Sequence, residues 1–388
     1  MKRCLLLAAS LLVVAGCQRR SLEDPANGSC EIRFSAGGLD VSGSAADRVA
    51  TKATEVLMTP DSTVRVIARR RASGQTSADP SQGVQVAEAT YKVQADGTTL
   101  VPCKVDDDGK EVALGAGETA KGIELGNGSY DFYAYSPARK LGADEKTVSG
   151  VSHGIDWLGC VKTASVSRTN SKVELLFDHK CSKLSFTVKF DDAMVGEANQ
   201  GLEVKKVTLS GVAPSPVNYT IGSDLTPGTG AAGNTFVVGV VDKTTSGTHR
   251  DPTDTEDQLA VASGIVLPKT TGNVNGEFVL TMGGKDYTLK AKDLPLTFEQ
   301  GKHYTFTMIS KRAAIELVLT VSPWNEATWG DATGIGGYPE YSVIVGTWVV
   351  PTWGTGTDLG AGGESSEITG GGAIGTWVPN SWNGDVGV

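Results

Sequence analysis

Residues 183–190 read KLSFTVKF. Leu184, Phe186, Val188 and Phe190 fall on one side of an extended chain, with Ser185, Thr187 and Lys189 on the other. A period of two marks a strand with one face in a core and one toward water. The same alternation runs through Ile315, Leu317, Leu319 and Val321, and through Tyr304, Phe306 and Met308. Residues 278–290 predict a hairpin with Gly283 and Gly284 at its turn. In residues 128–137, Tyr130, Phe132 and Ala134 take one face, and Asp131, Tyr133 and Tyr135 take the other. No long stretch has helical spacing, and residues 191–199 are the one short helix the pattern admits. Many short strands parted by glycine-rich turns predict an all-β chain of β-sandwiches.

The chain has 388 residues, room for two ordinary domains. A polar interruption, DDAMVGEANQG at 191–201, parts two strand-rich halves, which sets domains at 49–195 and 196–330. From Asp331 to Val388 the composition turns to glycine, tryptophan and threonine, and this forms a C-terminal extension.

The start of the chain carries an address. Met1, Lys2 and Arg3 precede an apolar run from Leu5 to Ala15, broken only by Ser10. That run is too short to cross a bilayer and reads as a secretion signal over residues 1–16. Val14, Ala15, Gly16 and Cys17 form a lipobox, with cleavage between Gly16 and Cys17 and a lipid on the Cys17 thiol. Several acyl chains on one residue give lasting attachment. Gln18 follows, not aspartate, so the expected destination is the outer membrane and cell surface.

The formal charge is −9, and losing Lys2 and Arg3 with the signal takes it to −11. So acidic a chain, without a basic stripe, is a poor nucleic-acid binder. Of six cysteines, Cys4 leaves with the signal and Cys17 is acylated. Cys30, Cys103, Cys160 and Cys181 remain, and an oxidising envelope permits three pairings among them. No C-x-x-C occurs, which argues against a zinc site.

Two enzyme-like patterns fail on context. Gly150, Ser152 and Gly154 match G-x-S-x-G, but no helical pattern follows, and His179, His249 and His303 form no motif with them. Gly228, Gly230 and Gly233 match G-x-G-x-x-G, yet the strand-like NTFVVGVV follows where a dinucleotide site needs a helix. Asp251, Asp254, Glu256 and Asp257 lack the spacing of a calcium loop. The sequence therefore reads as a non-enzyme with no cofactor and no metal. His179 reads as a hydrogen-bonded residue at a strand edge, and Trp324 as packing.

Four stretches in order resemble the fimbrillin family, the lipoprotein pilins of type V pili. They are ATYKVQADGTTLVP (89–102), GSYDFYAYSP (128–137), LLFDHKCSKLSFTV (175–188) and LTFEQGKHYTFTM (296–308), the last followed by LTVSPW ending at Trp324. The resemblance implies two tandem transthyretin-like β-sandwich domains. It also implies export as a lipoprotein, cleavage of a loop by an Arg- or Lys-specific protease, departure of the first strand, and its replacement by a strand from a neighbouring subunit. The partners it implies are other copies or related fimbrial subunits, the outer membrane through Cys17 before maturation, and host or bacterial surface ligands.

On these residues the first strand is CEIRFS (30–35), with Ile32 and Phe34 on one face, inside a pro-segment spanning 17–48. A small and polar stretch follows, and within it Arg48 is the expected cleavage site, before Val49, with Lys52 as the rival. Arg69, Arg70 and Arg71 follow the strand STVRVIA, and a cut there would damage the core. In the tail, YSVIVGTWVV (341–350) is apolar on both faces and is the candidate donor strand through Tyr341, Val343, Val345, Trp348 and Val350. Its rival is a local sheet closing the second domain of the same chain. GTWVVPTW (346–353) recurs as GTWVPNSW (375–382). Beside a shaft subunit stand two other readings, a fimbrial tip or accessory adhesin and a surface carbohydrate-binding lipoprotein, the latter for its tryptophan-rich end.

Overall fold

The computed structural model describes residues 29–39, 57–190, 203–223, 225–227, 235–240, 259–270, 272–282, 285–294, 296–310, 314–324, 341–349 and 366–370. Among the described residues the chain is all-β and has no helix. The candidate helix at 191–199, the glycines at 228–233 and the acidic residues at 251–257 lie outside them.

Strands are numbered along the chain. A seven-stranded sheet runs in the order β2 (Arg33–Leu39), β10 (Lys172–His179), β9 (Leu158–Val166), β7 (Gly128–Ser136), β3 (Thr63–Arg70), β4 (Val84–Val93) and β5 (Leu100–Pro102). A ten-stranded sheet runs β21 (Tyr341–Val349), β20 (Ala314–Pro323), β19 (Lys302–Ser310), β11 (Ser182–Phe190), β16 (Leu259–Val266), β15 (Thr235–Val240), β12 (Glu203–Ser210), β17 (Val274–Met282), β18 (Lys285–Leu294) and β22 (Ser366–Gly370). Two small sheets complete the architecture. One pairs β1 (Cys30–Glu31) with β6 (Glu124–Leu125), and the other orders β14 (Leu225–Pro227), β13 (Val217–Thr220) and β8 (Thr147–Val151).

The alternation in the sequence becomes burial. Tyr304, Phe306 and Met308 on β19 face Leu317, Leu319 and Val321 on β20 in one core, together with Leu184 and Phe186. The expected hairpin is β17 and β18, whose last pair is Met282 with Lys285. On β7, Tyr130, Phe132 and Ala134 enter the core of the seven-stranded sheet, while Tyr133 and Tyr135 enter a different one. On β11 the outward face departs from expectation, because Lys183 and Ser185 are buried too. His303 Nε2 lies 2.8 Å from Ser185 Oγ across the parallel β11–β19 pair, so this face is covered rather than wet.

β11 begins three residues after β10 ends, yet it is bonded to β16 and β19 of the other sheet. The change of sheet therefore falls at Lys180 and Cys181, ahead of the polar interruption that set the expected boundary at 195. Around that crossing lies a third core, shared by both halves. It joins Tyr135, Trp157 and Cys181 with Tyr219, Ile265 and Trp324. Trp157 lies 5.6 Å from Tyr135, stacked, and 5.5 Å from Tyr219, edge-on. Backbone bonds lock the same crossing: Lys180 N donates to Trp157 O at 2.7 Å, and Gly301 N to Cys181 O at 2.9 Å.

Cys30, Cys103, Cys160 and Cys181 are all free thiols. None of the three pairings that the envelope would permit is formed. Burial pushes the Cys160 and Cys181 thiols up to about 12.

Candidate functional site: the seam of the first strand

β2 sets one buried aromatic, Phe34, beside the small Ser35, Ala36, Gly37 and Gly38, and Ile32 stands just ahead of it. Ile32, Phe34 and Ala36 are buried, while Arg33 and Ser35 face solvent. The strand runs parallel to β10, pairing Arg33 with Lys172, Phe34 with Val173 and Ala36 with Leu175. Its other side is also engaged. Ile32 N donates to Ile123 O and Ala36 N to Thr98 O, each at 2.8 Å, and Ser35 bridges Thr99 at the approach to β5. β2 thus closes a gap between the two ends of one sheet. Taking it away would open both edges and bare the row Val173, Leu175 and Phe177.

The main anchor in this seam is aromatic. Phe34 meets Tyr91 and Phe132 edge-on, each with ring centroids 5.4 Å apart. Tyr91 accepts a bond from Ile123 N at 2.9 Å on its hydroxyl, and burial pushes that hydroxyl up to about 12. Burying Ile32 and Phe34 stabilises the strand by roughly 2–3 kcal/mol each before ordering costs. The preceding contact is weaker. β1 pairs with β6 over two residues, and one of those pairs sets Glu31 opposite Glu124. Like charges directly opposite are unfavourable.

Gly16, Cys17, Arg48, Val49 and Lys52 all lie outside the described residues. The arginines considered as rival targets are described. The sequence placed Arg69 and Arg70 after a strand, but β3 extends through Arg70, flanked by β4 and β7. Cutting there would require a central strand to unfold.

Tyr341, Val343, Val345 and Trp348 lie on β21, which is antiparallel to β20 of the same chain. The register sets Tyr341 opposite Val321, Val343 opposite Leu319 and Trp348 opposite Ile315, with an irregularity between Leu317 and Val318. Val350 lies outside the described residues. β22 joins the far edge of the sheet, parallel to β18. In this conformation the tail strand occupies its own second sheet.

The G-x-S-x-G stretch begins on β8 with Gly150 and Val151 and turns at residues 152–154. Ser152 Oγ donates to Gly150 O at 3.3 Å, and β9 follows instead of a helix. His153 ties the two halves together, because its Nδ1 accepts from Leu267 N at 3.1 Å and its Nε2 lies 3.0 Å from Ala213 O. Burial lowers the His153 pKa. His179 is buried, with Nδ1 2.8 Å from Asp156 Oδ1 and its ring stacked 3.6 Å from Trp324. The packing role expected of Trp324 is what the geometry gives. His303 is bonded to Ser185, and His249 lies outside the described residues. Among the described residues no three His, Cys, Asp or Glu side chains gather to hold a metal. Sequence reasoning missed the His153 clasp and Asp156, for their partners are distant in the chain and no local pattern marks them.

Residues 29–332 match the family model described as fimbrillin-like. A relative from Bacteroides uniformis, named "Putative fimbrium subunit Fim1C", is 28% identical over 214 residues, covering 53% of this chain. The matched part spans 64% of that relative's length, just under two thirds. A solved "putative cell adhesion protein" from Bacteroides ovatus aligns over 78% of this chain and 100% of its own, with 17% identity and a TM-score of 0.48. The tip fimbrial protein Mfa3 from Porphyromonas gingivalis, solved with a C-terminal truncation, aligns over 76% of this chain and 100% of its own, with 11% identity and a TM-score of 0.38.

Proposed function

The chain belongs to the fimbrillin-like family, and from that premise we propose that it is a structural subunit of a cell-surface fimbrium that polymerises by strand exchange. Residues 1–16 direct export, Cys17 carries the lipid that holds the precursor at the outer membrane, and residues 17–48 are a removable pro-segment. Cleavage between Arg48 and Val49 frees β2. The open seam between β10 and β5 then receives a strand from the tail of another copy.

One observation carries this reading. β2 is bonded along both sides, buries Phe34 and Ala36 with Ile32 buried just ahead of it, and joins the rest of the chain through the stretch that contains Arg48. A strand held in that way leaves a complete strand-shaped groove when it goes. For the tail to donate, β21 must first leave β20, since it pairs there in this conformation. An extended strand that adds backbone bonds along two edges and fills apolar pockets on one face is a strong mode of protein association.

The test is to treat the purified full chain with an Arg-specific protease and run it on a gel without boiling. Ladders that collapse on heating are expected. A chain lacking residues 341–388 is expected to be cut but to give no ladder. A cut wild-type chain that stays monomeric, with β2 still attached, overturns the proposal.

A further inference from the structure

Away from the seam, the other face of β3 and β7 carries a row of polar residues. Arg69 stands opposite Asp131 across β3 and β7, and opposite Gln85 across β3 and β4. Thr163 continues the row on β9. Such a row ordinarily faces water. Here residues 71–83, the connection from β3 to β4, fold back over it. Arg71 Nη2 donates to Gln75 O and Gln75 Nε2 to Asp131 Oδ2, each at 2.7 Å. Arg69 Nη2 reaches Gly83 O at 3.4 Å. Gly83 has φ +69°, and a Cβ there would lie 2.4 Å from the Arg70 carbonyl oxygen. Glycine alone lets the connection return this closely.

The cover buries the row deeply. Arg69 is 7% exposed, Asp131 2% and Tyr133 1%. Asp131 is well served, because Thr163 Oγ1 donates to its Oδ1 at 2.6 Å and Arg71 Nε lies 3.6 Å away. The donors are not. Arg69 Nε and Nη1, Arg71 Nε and the Tyr133 hydroxyl are all buried without a hydrogen-bond partner in the protein. Against these four donors stands one unpartnered acceptor, Gln85 Oε1. The charges do not balance either, since two guanidinium groups meet one carboxylate. Two other acids of this region have partners of their own. Glu88 lies 3.5 Å from Arg65 and accepts from Gln85 Nε2 at 3.0 Å, while Asp79 holds Ser81 and Gln82 at the surface.

The geometry points to a binding site for one small anion, a carboxylate or an inorganic oxyanion, enclosed beneath residues 71–83 and held by Arg69, Arg71 and Tyr133. Buried guanidinium groups require both partners for their N–H groups and compensation of charge. A water molecule could supply only the first of these. An oxyanion supplies both. The bound anion would pin the β3–β4 connection over the sheet, beside the core that both halves share through Tyr133.

Calorimetric titration of the full chain with sodium formate, and separately with sodium phosphate, at constant ionic strength tests this site. Saturable binding with one site per chain is expected for at least one of them. Formate alone assigns a carboxylate, and phosphate alone an inorganic oxyanion. Arg69→Met should weaken binding at least tenfold. Tyr133→Phe, which keeps the ring in the core, should weaken it at least threefold. Where Arg69→Met fails to fold, Tyr133→Phe alone decides. No saturable binding of either anion by the wild type, or an affinity unchanged in Tyr133→Phe, overturns the assignment.

Discussion

Phe34 of the first strand lies edge-on against Phe132 of β7, with centroids 5.4 Å apart and ring planes at 72°. The two rings are almost one hundred residues apart in sequence, and this contact ties a peripheral strand to the middle of the sheet. Phe34→Ala should destabilise the full chain by about 3 kcal/mol, the low end for a buried phenylalanine, because a seam relaxes more readily than a closed core. Urea unfolding measures this. The same variant should shed its first strand faster after proteolysis, and an unchanged midpoint would show that the strand is held by its backbone bonds alone.

Proteolytic maturation should depend on a single basic residue. Arg48→Ala is expected to leave the chain uncut by an Arg-specific protease and to abolish ladder formation, with the melting temperature unaltered. N-terminal sequencing of the wild-type product should begin at Val49. Ladders obtained instead with a Lys-specific protease, from a product beginning at Ala53, would move the site to Lys52.

Acid should loosen the contact between the halves. His153 Nδ1 accepts from Leu267 N, so Nε2 carries the proton and donates to Ala213 O. A proton added at Nδ1 destroys the acceptor. The folded pKa is lowered by burial, so the unfolded chain binds the proton more readily. The stabilisation is complete above the ordinary histidine range and is lost as pH falls through that range toward the folded value. His303, pushed down to about 3 by burial, acts in the same direction over a wider window. Melting temperature should therefore fall between about pH 7 and pH 4. His153→Phe should show a shallower fall, and an identical slope would count against the clasp.

Thiol reactivity should divide the cysteines. Cys160 and Cys181 are buried, with thiols raised to about 12, whereas Cys30 and Cys103 are half-buried. Maleimide labelling followed by mass spectrometry should modify only Cys30 and Cys103 among these four in the native full chain. Denaturant should add Cys160 and Cys181. Once the first strand has left, Cys30 should be absent from the assembled species, which makes it a direct marker of that loss.

Much of the fold was readable from residue spacing, because a half-buried strand writes its burial into every second residue. Tyr304, Phe306 and Met308 show this, whereas β7 is buried on both faces, in two different cores. The positions that resisted reading are those whose surroundings come from elsewhere in the chain. Lys183 and Ser185 look solvent-facing locally, but the outer face of β11 is covered. Arg69 and Arg70 look like residues that follow a strand, yet β3 continues through them, paired with Asp131 and Tyr130 of β7 from a distant part of the chain. The first strand was visible in Ile32 and Phe34. Its parallel docking beside β10 was not, since nothing local to residues 30–39 specifies a partner near residue 175.

The crossing at Lys180 and Cys181 has a mechanical consequence. One sheet hands over to the other within two residues, and Trp157, Tyr219 and Trp324 interlock across the join. A join so short and so interlocked resists bending. Were copies threaded end to end, this join would add little give, and the suppleness of the thread would come more from the couplings between one copy and the next.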